Sequence, residues 1–183
     1  MKSKIKIQVR PIIHTKEGRV FKTYPWKNAN SLIKAFVQIL MVQMSQANQD
    51  IYNITPALRS VFPNLSCFSA VAAATVTNNG IVIGSGITAV VMTDYKLETQ
   101  IITGVAHGAQ AFTLENPNAS TWRINLSRIF TNNTGGVLAI KEVGLYVLAE
   151  STAQHFCAER TLYAVDVPDT YPITFQYRIT ITL

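Results

Sequence analysis

The sequence predicts a mainly β protein: an antiparallel β-sandwich, Greek-key or jelly-roll like, with one N-terminal hydrophobic helix. Three observations predict it. Period-two alternation of apolar and polar residues recurs along the 183 residues, as half-buried strands require. Ser127 to Val147 reads as one long strand, a tight Asn/Gly turn and a second long strand. Helical spacing is sustained only over Leu32–Gln46.

Each element follows from its residues. In residues 4–10 (KIKIQVR), Ile5, Ile7 and Val9 share one face, and Pro11 disturbs the strand. Residues 12–24 read as a hairpin turning at Lys16-Glu17-Gly18. Asn30-Ser31 offers an N-cap to the helix. That helix, about 15 residues and roughly 22 Å long, is apolar on most sides and is expected to be largely buried. Residues 48–66 read as an irregular link with one helical turn around Pro56–Val61. Residues 68–77 read as a strand, Asn78-Asn79-Gly80 as a hairpin turn and Ile81–Ile83 as its return. Asp94 is expected to cap a turn by accepting backbone amides. Further strands are expected at 100–105, 109–115, 121–131, 137–148, 155–165 and 173–182. The whole forms one domain, 1–183, with residues 1–66 packed on or beside the sandwich.

Charge narrows the partners. Charged residues make up 14% of the chain, against about 25% in an average soluble domain. Such a chain hides surface in subunit contacts or wears a Thr/Asn/Ser/Gln surface, so a homo-oligomer is expected. Within the net charge of +6, residues 1–34 carry nine basic residues and one acid, while the rest is slightly acidic. The basic arm (Lys2, Lys4, Lys6 and Arg10) suits an anionic neighbour: an acidic protein, nucleic acid or a membrane surface. A Lys-rich solvent face that protects a sheet edge is the plainer reading. No aromatic residues interleave with Lys2, Lys4 and Lys6 for base stacking.

No pattern demands a cofactor, a metal or a covalent mechanism. Gly84-Ser85-Gly86 lacks the Lys-Ser/Thr and helix of a phosphate loop and the spacing of a nucleophile elbow. His155 and Cys157 share a strand face, but a zinc site needs two more ligands. Asp94 with Glu98 is a lone acid pair. Trp26, Trp122 and the tyrosines form no aromatic cluster in one loop, which weakens a lectin-like reading without removing it. Cys67 and Cys157 are expected as free buried thiols. The alternating N-terminus is unlike a signal peptide, and the interrupted run 32–44 is too short to span a membrane. The expectation is a soluble, non-catalytic building block.

Two blocks of residues carry a resemblance. The first is Gly84-Ser85-Gly86 with Thr88-Ala89, leading to Asp94, Tyr95, Leu97 and Glu98. The second is Arg128, Phe130 and Asn132, leading to Glu142, Gly144 and Tyr146. Together with the alternating C-terminus they resemble virion structural proteins of tailed bacteriophages, where Arg-Asp-Val often stands in place of Val165-Asp166-Val167. The resemblance covers residues 81–183 in ordered blocks and the N-terminal part more loosely. It implies a β-sandwich capsid or tail accessory protein without catalysis, assembled in the host cytoplasm and held in the virion by other virion proteins.

Overall fold

The structure, a computed structural model, describes residues 4–29, 32–63, 68–149 and 154–182. It is mainly β with antiparallel pairing throughout. The larger sheet contains β1 (Lys4–His14), β2 (Val20–Thr23), β3 (Lys27–Asn28), β7 (Val105–Asn118), β8 (Thr121–Asn132) and β11 (Pro172–Thr182). Its order is β2-β1-β11-β8-β7, with β3 also on β1. The smaller sheet is β10-β9-β6, made from β6 (Gly80–Gly84), β9 (Leu138–Leu148) and β10 (His155–Val167). One apolar cluster takes Val9, Phe130, Phe175 and Tyr177 from the larger sheet and Ile81, Val143 and Phe156 from the smaller.

The C-terminal alternation folds as read. Strand β11 lies between β1 and β8, with Phe175 opposite Pro11 and Arg128. Pro11 does not end β1. Its carbonyl accepts from Tyr24 N at 3.1 Å on the outer side of the strand. The missing N–H therefore points at the edge, where its loss costs no ladder bond to β11. The turn at residues 15–19 closes as expected, with Gly18 at φ +80°.

Ser127–Val147 is not a hairpin. Its two strands lie in different sheets, β8 between β11 and β7 and β9 between β10 and β6. Buried Asn132 makes the corner. Its Nδ2 donates to the carbonyls of Gly136 (2.7 Å) and Val167 (2.9 Å), and its Oδ1 accepts from Thr134 N (3.0 Å) and Oγ1 (2.7 Å). The side chain satisfies backbone groups that a two-strand ladder would otherwise pair.

Other expectations are corrected. The helix, α1, runs Lys34–Ser45 with Ile33 as N-cap and no side-chain cap, and Asn30-Ser31 lies outside the described residues. It is not largely buried: Ala35, Ile39 and Val42 face the core, while Val37, Leu40, Met41 and Met44 are exposed. One apolar stripe is all that a helix on a sheet edge can bury. Residues 49–61 form a hairpin, β4 (Gln49–Tyr52) with β5 (Leu58–Val61), and no helical turn. There Asn53 Oδ1 accepts from Thr55 Oγ1 and Ala57 N, closing the loop. Residues 68–77 and 100–104 are not strands; isolated bridges join Ser69 with Leu148 and Gln100 with Gly84, and Ala72 and Thr75 also bond the backbone of β7. Asn78-Asn79-Gly80 is accordingly a loop leading into β6, with Gly80 at φ +74°.

Candidate functional site

Strand β10 interrupts an apolar run, HFCAERTLYAV, with two adjacent charges, Glu159 and Arg160, and both are buried. Removing charges from water costs several kcal/mol each unless partners meet them. Arg160 meets three carboxylates. Its Nε donates to Glu142 Oε2 at 2.7 Å and its Nη1 to Asp94 Oδ2 at 2.8 Å. Its Nη2 donates to the Thr88 carbonyl at 3.1 Å, with Glu98 Oε2 3.6 Å away.

The carboxylates hold the backbone in turn. Glu142, fully buried on β9, accepts from the amides of Gly86 (3.1 Å), Glu98 (3.2 Å) and Thr99 (2.9 Å). Glu98 accepts from Ile87 N and Thr88 N, each at 2.7 Å. Asp94 accepts from Val91 N at 3.0 Å, the turn cap expected of it. The whole irregular segment between β6 and Gln100 is clamped onto β9 and β10 by one guanidinium. Burial alone would weaken the Arg160 charge. The hydrogen bonds and charges of Asp94 and Glu142 outweigh it, and the net shift of its pKa is upward. A hydrogen bond from the Thr88 side chain, then its amide, lowers the pKa of exposed Glu98.

This geometry accounts for the glycines. A Cβ on Gly86 would stand 2.5 Å from both Glu142 Oε1 and Glu98 Cβ, and one on Gly84 2.6 Å from Glu142 Oε1. The Gly-Ser-Gly run makes room for a carboxylate inside the protein. On Gly144 a Cβ would meet the Glu159 carbonyl and Leu97 Cδ2 at 2.9 Å. Tyr146 Oη accepts from Leu97 N at 2.7 Å. Thus Asp94, Leu97, Glu98, Glu142, Gly144 and Tyr146, distant in sequence, converge on one cluster. Tyr95 instead turns toward Tyr52, with ring centroids 6.5 Å apart.

A second cluster surrounds Arg128 on the core face of β8. Its guanidinium donates to the carbonyls of Gly108, Asn79 and Ile81, each at 2.9 Å, and to those of Val76 and Ala73. Among the described residues no carboxylate pairs with it. Burial lowers its pKa to about 10, so it is still a cation at neutral pH. Phe130 stacks edge-on between His107 and Phe175.

Glu159 has no cation within the ion-pairing distance among the described residues. It accepts from Thr161 Oγ1 and Tyr177 Oη. Burial raises its pKa to about 7, against the opposing pull of those two hydroxyls. An acid with a raised folded-state pKa keeps its proton while the unfolded chain, titrating near 4.5, loses it. The contribution of Glu159 to stability therefore falls as pH rises through the window from about 4.5 to about 7 and is level above it. Glu159→Gln is expected to remove this slope, gaining on the wild type by up to about 3 kcal/mol between those limits. Urea denaturation of both proteins at pH 5 and pH 7.5 measures it; parallel curves would refute it.

The basic arm lies on the other side of the larger sheet. Lys4, Lys6 and Arg10 share the outer face with Arg123 and Arg178, and Lys2 lies outside the described residues. Two guanidinium groups lie over the Trp26 ring, Arg10 at 4.4 Å and Arg178 at 4.5 Å from its centroid. Arg10 Nε also donates to Gln176 Oε1 at 2.9 Å, and Arg178 Nε to Asn125 Oδ1 at 3.0 Å. These groups line a shallow polar depression of about 330 Å³. Trp26 is thus engaged by two cations of the same sheet face.

Cys157 is a free, fully buried thiol whose pKa burial pushes up, and Cys67 lies outside the described residues. No group of three His, Cys, Asp or Glu side chains gathers as metal ligands among the described residues. Nor is any described helix long and apolar enough to cross a membrane.

No known family, curated protein or solved structure matches this chain. The site rests on its own geometry. Sequence reasoning missed Arg160, which organises it. The signal was present: two adjacent charges inside an apolar strand need buried partners.

Proposed function

We propose that the chain is a non-catalytic structural component of a tailed-phage virion. The favoured role is a capsid decoration or auxiliary protein assembling through symmetric subunit interfaces, with a tail or head–tail connector part as the alternative. In this reading the two sheets form an antiparallel sandwich of Greek-key or jelly-roll type. One observation carries it. The acids of the resembling blocks converge: Asp94, Glu98 and Glu142 all point at Arg160, a residue outside both blocks, where they fasten a long loop to the sheet. Groups committed to such contacts supply rigidity, the property a particle component needs.

The outer sheet face supports an acidic neighbour within the particle. Its surplus of Lys and Arg would be drawn to an acidic capsid shell or tail tube. A lectin-like receptor-binding module is favoured only by the polar depression beside Trp26, whose Arg, Asn and Gln side chains suit hydroxyl groups.

Quantitative mass spectrometry of purified particles tests the assignment. A decoration protein is expected at high, fixed copy number on capsids and absent from isolated tails. Single-digit copies would sink the decoration role, and hydrolytic activity that survives purification would sink every non-catalytic reading. Binding on a glycan array would favour the receptor-binding module.

A further inference from the structure

The two sheets are unequal in extent, and the larger one overhangs the smaller. Along β1 the core-facing residues go from fully buried Val9 to Ile5 at 69% exposed. Along β11 they go from Tyr177 at 1% to Ile181 at 41%, and along β8 from Leu126 at 3% to Trp122 at 48%. Strand register places these side chains in rows. Ile5, Ile181 and Trp122 form one; Ile7, Ile179, Ile124 and Leu114 form the next. Phe112, opposite Leu126, extends the patch at the β7 edge. Beyond the core this face continues apolar, and among the described residues its overhanging rows carry no charged side chain. Among the described residues these six stay open: Ile5, Phe112, Leu114, Trp122, Ile124 and Ile181.

We propose that this overhanging face is the self-association surface of the protein, and that its occupant is a second copy of this chain. Three arguments favour a copy over an unrelated partner. The first is size: with about 200 Å² per large apolar residue, the open area is roughly 600 Å². That is the share each subunit contributes to an interface at the lower end of the standard class, and the most a typical monomer leaves bare. The second is self-complementarity. Apolar contact is non-directional, so an apolar sheet face fits its own copy across a twofold axis. The opposite, basic face would repel its own copy. The third is composition: with 14% of its residues charged, the chain matches the low-charge pattern of permanent interfaces. Packing two such faces would extend the core by a further sheet layer about 10 Å away. The inference is independent of the virion assignment, since copy number in a particle does not bear on it.

Sedimentation velocity of the full chain across the micromolar range tests it. The wild type is expected to be a dimer or a higher multiple. Leu114→Lys and Ile124→Lys, both at exposed positions, are each expected to weaken association by roughly 100-fold or more, because an unpaired charge would be buried on assembly. Met44→Lys on the exposed helix stripe is expected to leave association unchanged. Circular dichroism identifies any variant that fails to fold. In that event the wild type decides the matter: its Trp122 is expected to lose accessibility to acrylamide as concentration rises, read in a Trp26→Phe background. A wild-type chain that stays monomeric overturns the proposal. So does a folded Leu114→Lys protein that associates normally, or an oligomer broken only by Met44→Lys.

Discussion

Arg160→Met is expected to destabilise the protein by about 3–5 kcal/mol, the usual cost of removing one partner from a buried ion pair. The physical reason is Glu142. It is fully buried, and Arg160 is the cation 2.7 Å from it. Without that charge a carboxylate remains in a low-dielectric site, held only by the amides of Gly86, Glu98 and Thr99. Asp94 and Glu98 then add repulsion where they had added attraction. Loss should concentrate in residues 85–100, whose amides are expected to exchange with solvent faster than those of β1, β8 and β11. Arg160→Lys should recover only part of the loss, because an ammonium cannot reach both Glu142 and Asp94 with the planar fork of a guanidinium. Combining Arg160→Met with Glu142→Gln should cost less than the two changes summed, since neither charge is then orphaned. Chemical denaturation measures the stability effects of all three variants, and hydrogen exchange the local loosening at 85–100. A loss under 1 kcal/mol would refute the idea that Arg160 holds this segment in place.

Arg128→Met is expected to cost about 3 kcal/mol or more, for a different reason. Arg128 replaces solvent for backbone carbonyls of residues 73–81 and 108. Each carbonyl left buried without a donor costs about 1–3 kcal/mol, less what local rearrangement recovers. Residues 73, 76 and 79 lie outside the strands and have few ladder bonds of their own, so they depend on this side chain for satisfaction. The expected signature is a lower denaturation midpoint with loosened packing beside β6 and at the Gly108 irregularity in β7. A Cβ at Gly108 would stand 2.3 Å from Ile129 Cγ2, so that stretch has little room to adjust. Thermal unfolding and hydrogen exchange at 73–81 test this; unchanged protection there would overturn it.

The two clusters show how far sequence reading reaches. Arg128, Glu142, Gly144 and Tyr146 were visible as members of conspicuous blocks, and Asp94 as a turn cap. What united them was not. Arg160 sits 18 residues from Glu142 and 66 from Asp94, and no local pattern encodes a partner at such distance. The hairpin at 49–61 was missed because Pro56 looks like a helix start, whereas the Asn53 side chain closes the turn. The helix was placed within two residues of its true start, but its burial was overstated, because apolar residues all round a helix do not say how many faces meet a neighbour.

By itself the sequence determined the antiparallel strands at both ends, the basic N-terminal arm and the turn at Lys16-Glu17-Gly18. These depend on period-two patterning and on the backbone preference of Gly, both local. Only the tertiary structure decided that Ser127–Val147 changes sheets at Asn132, that three acids share Arg160, and that the larger sheet overhangs the smaller. Each is a matter of which surfaces meet. Pairing across dozens of residues is selected by total burial and polar satisfaction in the folded chain, and no single stretch of sequence carries that sum.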